Sequence, residues 1–507
     1  MTELNIVDHN GLFKREEYQV SREKKKAFEG CSSADEVQKT IEYSRSEEYK
    51  EKNFKREALT INPSKACQPL GAILAAVGFD GCLPYVHGSQ GCVAYFRSHF
   101  NRHFKEPFAA VSDSMTEDSA VFGGQKNLIA GLKNAHAIYK PKMIAVSTTC
   151  MAEVIGDDLN AFIINARKEG SVPENFPVPF AHTPSFVGSH ITGYDNMMRG
   201  MLFHLTHGIT KGAETNRINI IPGFDGYTVG NIKEIKRILG LMGVEHIVLG
   251  DNSEILNTPM DGEYRIYMGG TTLDEVKDAM NSKATFSLLG DSTAKVTAET
   301  IKKDWGQKYV GDVVPLGVSG TDAFLMKVSE VTGMPIPAEL EKERGQALDA
   351  IADSNYYLHG KKFAIYGDPS YVEALTDFFM ELGAEPKHIV CTNGTKKWGN
   401  GLSKKLAAVD FGKKATVHHG ADLWQLRSLM ATEPVDFLVG NTHGKVMAKE
   451  LNVPLVRIGF PIFDRHHLHR YPVFGYQGVI NLLQWTVNTL MEDLDRNAGE
   501  HNYDFVR

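Results

Sequence analysis

Met143-Ile144-Ala145-Val146-Ser147-Thr148-Thr149-Cys150 is a short aliphatic run that gives way to small polar residues and a cysteine. The run reads as a strand, and the amphipathic stretch from Glu153 to Arg167 predicts the helix that follows it. The same alternation recurs on both sides. Leu83-Pro84-Tyr85-Val86 precedes a helix through Val93 to Phe104; Ile218-Asn219-Ile220-Ile221 precedes one through Ile232, Ile235 and Leu239, with His246-Ile247-Val248-Leu249 resuming as strand. Phe363-Ala364-Ile365-Tyr366 leads into a helix from Val372 to Leu382, and His388-Ile389-Val390, Phe437-Leu438-Val439 and Leu455-Val456-Arg457-Ile458 close the series. Strands alternating with helices build parallel sheets from βαβ units. At 507 residues the chain exceeds what one core can serve. The expected architecture is α/β: three Rossmann-like parallel-sheet domains over 61–195, 196–355 and 356–507, the last including a C-terminal tail. No low-complexity linker or close repeat marks the edges near 195 and 355.

Residues 1–60 form a charged N-terminal arm. Runs such as Arg22-Glu23-Lys24-Lys25-Lys26 and Glu47-Glu48-Tyr49-Lys50-Glu51-Lys52 offer too few large aliphatics for a core of their own. A solvated tail and an arm laid over a partner both fit; Phe13, Tyr18, Phe28 and Tyr43 favour the second. The net charge of −7 excludes the basic surface that a nucleic-acid partner needs. No apolar run approaches the roughly 20 residues of a membrane helix. The polar start Met1-Thr2-Glu3-Leu4 lacks the apolar stretch of a secretory signal, so a cytoplasmic location is expected.

Six cysteines, at 31, 67, 82, 92, 150 and 391, are too sparse for a disulfide framework. Three occupy places where parallel-sheet proteins bind ligands, beyond the carboxyl ends of strands. Cys150 follows Ser147-Thr148-Thr149; Cys92 follows the glycine loop His87-Gly88-Ser89-Gln90-Gly91; Cys67 begins a helix from about Pro69 to Val77. Helix N-termini lower thiol pKa values, which suits thiolate ligands for iron or zinc. Spacings of 25 and 58 residues match no compact cysteine signature, however, and pattern alone leaves small buried hydrophobes as the alternative. That second reading is the expectation for Cys31, Cys82 and Cys391.

Neither GxxxxGK[ST] nor GxGxxG occurs, and Gly394-Thr395-Lys396-Lys397-Trp398-Gly399-Asn400 lacks the phosphate-binding lysine, so no nucleotide site is expected. Phe463-Asp464-Arg465-His466-His467-Leu468-His469-Arg470 has the composition of a metal box, but crowded Arg and His after a strand more often form a hydrogen-bonded surface or subunit contact.

Longer motifs carry a resemblance. Lys65-Ala66-Cys67-Gln68-Pro69-Leu70-Gly71, the stretch from His87 to Arg97, Ser114-Met115-Thr116-Glu117-Asp118, the stretch from Ser147 to Asp158 and that from His182 to His190 resemble the β chains of the nitrogenase molybdenum–iron proteins, with similarity running from about residue 10 to Asp504-Phe505-Val506-Arg507. The resemblance implies an α₂β₂ heterotetramer whose α and β subunits each give three cysteines to an eight-iron, seven-sulfur P-cluster at their boundary. Cys67 and Cys150 would be terminal ligands and Cys92 a bridging one. Ser185 would add an alkoxide when the cluster is oxidised, since hard oxygen anions prefer harder iron; the alternative is that Ser185 caps the following helix, for about 1 kcal/mol. Tyr95 and Phe96 would lie towards the iron–molybdenum cofactor, which the family places wholly in the α subunit. Phe122 would belong to the docking surface for an ATP-hydrolysing iron protein, and the arm would lie over the α subunit.

The resemblance also implies a calcium or iron ion between two β chains. Asp349 and Asp353 would share it with Glu106 and the backbone carbonyl of Lys105 from the second β chain, an all-oxygen set suited to a hard cation. Four residues apart in a helix-favouring stretch, the two aspartates project from one face; on sequence alone, Arg344 could as well neutralise them. Among relatives, the complete set Cys67, Cys92, Cys150 and Ser185 argues against a cofactor-assembly scaffold. The long arm and the 507-residue length favour the molybdenum form over vanadium or iron-only nitrogenase and dark protochlorophyllide reductase. Without the resemblance, a simple electron carrier or a metal-free α/β binding protein would also fit.

Overall fold

The computed structural model of the protein describes residues 9–29, 32–259, 262–263, 265–290 and 294–498; Cys31, the side chain of Phe28 and the C-terminal Asp504 to Arg507 lie outside them. Thirteen strands among the described residues form three sheets, every pairing within them parallel. The first, in order β2-β1-β3-β4, comprises β1 (Cys82–His87), β2 (Val111–Ser112), β3 (Met143–Thr148) and β4 (Phe180–Ala181). The second, β6-β5-β7-β8, comprises β5 (Thr215–Ile221), β6 (His246–Val248), β7 (Ser282–Ser287) and β8 (Lys308–Val310). The third, β11-β10-β9-β12-β13, comprises β9 (Lys362–Tyr366), β10 (Glu385–Cys391), β11 (Thr416–His419), β12 (Phe437–Gly440) and β13 (Leu455–Arg457). Strands β1 and β3 are buried throughout, as near-continuous apolar runs in helix-covered parallel sheets should be. The edge strands β2, β4 and β8 are only two or three residues long, too short to leave a periodic signal.

The sheets share cores. Leu70, Ile73 and Leu74 pack with Phe96, Phe100 and Met198, and the same cluster takes in Ile221, Phe224, Ile247 and Trp305 from the second sheet's part of the chain. A second cluster joins Ile218, Ile235 and Phe286 to Phe363, Phe379, Phe437 and Phe474 of the third. The two expected domain edges both fall inside helices, His190–Thr206 and Ala338–Leu358.

One expectation is corrected. The single helix from Glu153 to Arg167 is two, Cys150–Ile155 and Leu159–Lys168, because Gly156 takes a left-handed φ of 81° and Asp157 turns inward. The arm is helical, and its later half lies on this chain's own third domain. Helix Glu47–Phe54 sets the buried amide of Asn53 against the Trp424 carbonyl (3.1 Å) and the Ser428 hydroxyl (2.9 Å), while Arg427 reaches the Ser44 carbonyl at 3.2 Å and pairs with Glu450. Leu12, Phe13 and Tyr18 stay exposed. Among the described residues no helix is long and apolar enough to cross a membrane.

Candidate metal centre

Cys67 is the N-cap of helix Gln68–Val77. That helix meets helix His190–Thr206 through glycines: a Cβ on Gly71 would stand 1.7 Å from the His190 carbonyl oxygen, and one on Gly193 1.8 Å from that of Gln68. Only hydrogen fits in either place. The Ala66 N–H donates to His190 Nδ1 (3.1 Å) and the His190 N–H returns a bond to the Ala66 carbonyl (2.9 Å). Buried Gln68 donates its amide to the carbonyls of Pro184 (2.9 Å) and Val187 (2.7 Å) and accepts from Asn196 Nδ2 (2.9 Å). These bonds fix the turn carrying Ser185 against the helix that Cys67 begins. The helix after Ser185 is capped by Ser189, whose N–H donates to Thr192 Oγ1 at 3.3 Å, so the capping role considered for Ser185 is overturned.

Cys92 and Cys150 leave neighbouring strands together, since the register of β1 and β3 pairs His87 with Thr148. A Cβ on Gly88 would come within 1.9 Å of Thr149 Oγ1, and the Thr149 N–H donates to the His87 carbonyl (3.0 Å). Cys92 lies in the first turn of helix Gln90–Phe104, and Cys150 is the first residue of Cys150–Ile155. Cys67 and Cys92 are half-buried and Cys150 is exposed. The Cys92 thiol is pushed above its ordinary range, first by burial and then by the Cys150 and Cys67 thiolates near it. The expected helix-terminus lowering therefore loses at Cys92 to desolvation and like charge. Cys82 and Cys391 are buried, as expected of small hydrophobes.

Beneath this arrangement lies a feature absent from the sequence reading. His87, fully buried, turns Nδ1 to the Asp113 carboxylate and Nε2 to that of Asp157 (2.9 Å). Burial works against the charged ring, but the two carboxylates outweigh it and raise the pKa of His87. Asp157 also accepts the Gly124 N–H at 3.1 Å, and Asp113 accepts that of Gly88 at 2.9 Å. A histidine at a strand end, just before a glycine loop, was the only signal; its carboxylate partners lie 26 and 70 residues away.

Three thiols at three helix starts, with the Ser185 turn beside one of them, are a soft donor set carrying one hard donor. Among the described residues no three His, Cys, Asp or Glu are arranged to hold a single metal ion. Thiols at helix starts suit a polynuclear iron–sulfur group, and Val154 and Phe186, on the segments that carry Cys150 and Ser185, are 77% and 64% exposed. Tyr95 faces outward, whereas Phe96 is buried in the chain's own core. Phe122 ends the short helix Glu117–Phe122 at 86% exposure, with Val121 at 75%.

Asp349 and Asp353 are exposed on helix Ala338–Leu358, and Arg344 does not neutralise them, because it binds both carboxylate oxygens of Asp322 at 3.0 and 2.9 Å. Glu106 is paired with Arg470 (2.9 Å), and Lys105, in a left-handed conformation, donates its ammonium to the Phe463 carbonyl (3.0 Å). The Phe463–Arg470 stretch is a hydrogen-bonded surface: Asp464 pairs with Arg457 at 3.0 Å, and burial, then His103 and Arg470, push His469 down to about 3. Thr395 caps helix Lys396–Ala407 with a 3.1 Å bond from Trp398 N–H.

Comparison with known proteins gives two family matches, nitrogenase component 1 type oxidoreductase over residues 67–491 and a domain of unknown function over 2–53. The chain is 57% identical to the nitrogenase molybdenum-iron protein beta chain of Rippkaea orientalis, covering 99% of each. It is 53% identical to that of Azotobacter vinelandii, covering 98% of each. The solved structure "Nitrogenase Cp1 at pH 6.5" superposes with a TM-score of 0.85 at 42% identity, covering 89% of this chain and 98% of that one.

Proposed function

Because the chain belongs to the nitrogenase component 1 type oxidoreductases, we propose that it acts as the β subunit of a molybdenum–iron nitrogenase, in an α₂β₂ heterotetramer. It holds half of an eight-iron, seven-sulfur P-cluster that passes electrons from an ATP-hydrolysing iron protein to the iron–molybdenum cofactor of the α subunit, for reduction of dinitrogen to ammonia. The observation that carries this is the placing of Cys67, Cys92 and Cys150 at three helix starts, two of them just beyond the paired ends of β1 and β3. When bound, the cluster supplies one-electron redox steps.

The chain's own residues do the rest. Cys67, Cys92 and Cys150 would hold the cluster as thiolates, each giving up its proton on binding, with Cys92 in the bridging role that the resemblance implies. Gln68 holds the turn that carries Ser185 against the helix begun by Cys67, and there the Ser185 hydroxyl would supply a hard oxygen donor, once deprotonated, to an oxidised cluster. Tyr95 faces the α subunit's cofactor, with Phe96 packing behind it. Co-expression with an α subunit and cluster-assembly proteins should yield a tetramer that retains iron and reduces acetylene when the iron protein is added. Iron without reduction would favour an assembly scaffold instead.

Ser185→Ala should keep its iron in the reduced state but change the paramagnetic resonance spectrum and midpoint potential on oxidation. An oxidised spectrum identical to the parent's would remove Ser185 from the ligand set.

At the β–β boundary, Asp349 and Asp353 bind a calcium or iron ion together with Glu106 and the Lys105 carbonyl of the second β chain. Glu106 must first be drawn from Arg470, an exposed pair worth about 0 to 1 kcal/mol. An Asp349→Ala, Asp353→Ala double variant should lose one ion per site, weaken β–β association in sedimentation, and leave the P-cluster spectrum intact.

A further inference from the structure

The helix that ends in the exposed Val121–Phe122 tip lies against the short helix begun by Cys150, and the tip, Cys92 and Cys150 segments share one buried anchor. Helix Glu117–Phe122 is held at both ends. On one side the Ser119 hydroxyl donates to Asn127 Oδ1 (2.9 Å), and Asn127 Nδ2 donates to the backbone carbonyl of Asp113 (3.2 Å). On the other, Gly124, two residues past Phe122, gives its N–H to both oxygens of the Asp157 carboxylate at 3.1 Å. Gly124 cannot carry a side chain there, because a Cβ would stand 2.5 Å from His87 Cε1 and 2.6 Å from Asp157 Oδ2.

Both routes end on His87. Its ring bridges Asp113 and Asp157, its carbonyl accepts the N–H of Thr149, the residue before Cys150, and its successor Gly88 opens the loop to Cys92. Just after the Gly156 cap, the Asp157 N–H donates to the Ala152 carbonyl (3.1 Å) of the short helix that Cys150 begins.

We infer that His87 is a positioning residue that links the Val121–Phe122 tip to the Cys92 and Cys150 segments, through Asp113 and Asp157. Pressure of a docked protein on the tip shifts Gly124 and the Asp113 loop, and the shared ring moves both cysteine-bearing helix starts with them. The link is short and made of charged hydrogen bonds, which are stronger and more directional than apolar contact. It rests on the reading that the tip receives the iron protein and that Cys92 and Cys150 hold the cluster.

The test uses the assembled tetramer carrying His87→Gln, which removes the ring that bridges both carboxylates, with Asp157→Asn as the second variant, which keeps the side chain's shape and removes its charge. Re-reduction of the dye-oxidised cluster is followed by stopped flow, once with dithionite and once with iron protein and MgATP. The expected result is normal iron content, an unchanged dithionite rate, and an iron-protein-driven rate lower on the order of ten-fold, the size typical of lost second-sphere partners. Equal losses with both donors, or no loss with either, would overturn the link and leave His87 a structural residue. If His87→Gln does not assemble, Asp157→Asn decides by the same comparison. Phe122→Ala, run in parallel, separates the underlying reading: undiminished affinity for the iron protein would remove the docking role and the link with it, whereas weakened docking beside unaltered His87 and Asp157 variants removes the link alone.

Discussion

Replacing Cys92 by alanine is expected to cost the tetramer most of its P-cluster signal and its acetylene reduction. Of the three thiols it is the one that the proposed assignment makes the bridging ligand. Losing the cluster also removes the stability that a group bound only to the folded tetramer lends it, so iron content and melting temperature should fall together. Full iron and activity in that variant would falsify the ligand assignment, and a lower melting temperature with iron fully retained would show that the thiol serves packing alone.

The second large effect needs no change to a donor atom. Gly193→Ala places a methyl group 1.8 Å from the Gln68 carbonyl oxygen, a backbone atom at the start of the helix that Cys67 caps. Alanine favours a helix interior over glycine by about 1 kcal/mol. Here overpacking, commonly costing about 1–3 kcal/mol and more where backbone must move, outweighs that gain. The two helices must separate, which also loosens the bonds from Gln68 to the Ser185 turn. The variant should melt several degrees lower and retain less iron. Gly345→Ala is the control: a Cβ there meets nothing within 4 Å, so it should be neutral or slightly stabilising. Similar losses in both variants would mean that the tight crossing is not what holds Cys67.

Local chemistry made much of this legible from sequence. The runs at Met143, Phe363 and Phe437 became buried parallel strands because a short aliphatic run bounded by polar or turn residues carries that information locally. Cys67, Cys92 and Cys150 could be placed at helix starts, since a strand end and a glycine loop are short-range signals. The break at Gly156 was lost because the apolar pattern continues across it; what interrupts the helix is a distant attraction, Asp157 turning in to His87. The upward shift of Cys92 was equally hidden, as it arises from thiolates 25 and 58 residues away. The partners that Arg344 and Glu106 actually take, Asp322 and Arg470, lie far along the chain too. For the arm, charge density gave no hint of one polar residue, Asn53, buried against Trp424 and Ser428.

The core shared between the first two sheets sets an order of events during synthesis. Leu70, Ile73 and Leu74 emerge early, yet Ile221, Ile247 and Trp305, which complete their cluster, follow up to some 235 residues later. At about 5–20 residues per second, the apolar face of the first helix waits roughly ten to fifty seconds on the ribosome for its cover. Until then Cys67 stands at the end of a helix whose apolar face is only partly covered. Metal loading is therefore expected to follow release of the finished chain, and nascent chains stalled before residue 305 should bind a hydrophobic-surface chaperone and take up no iron.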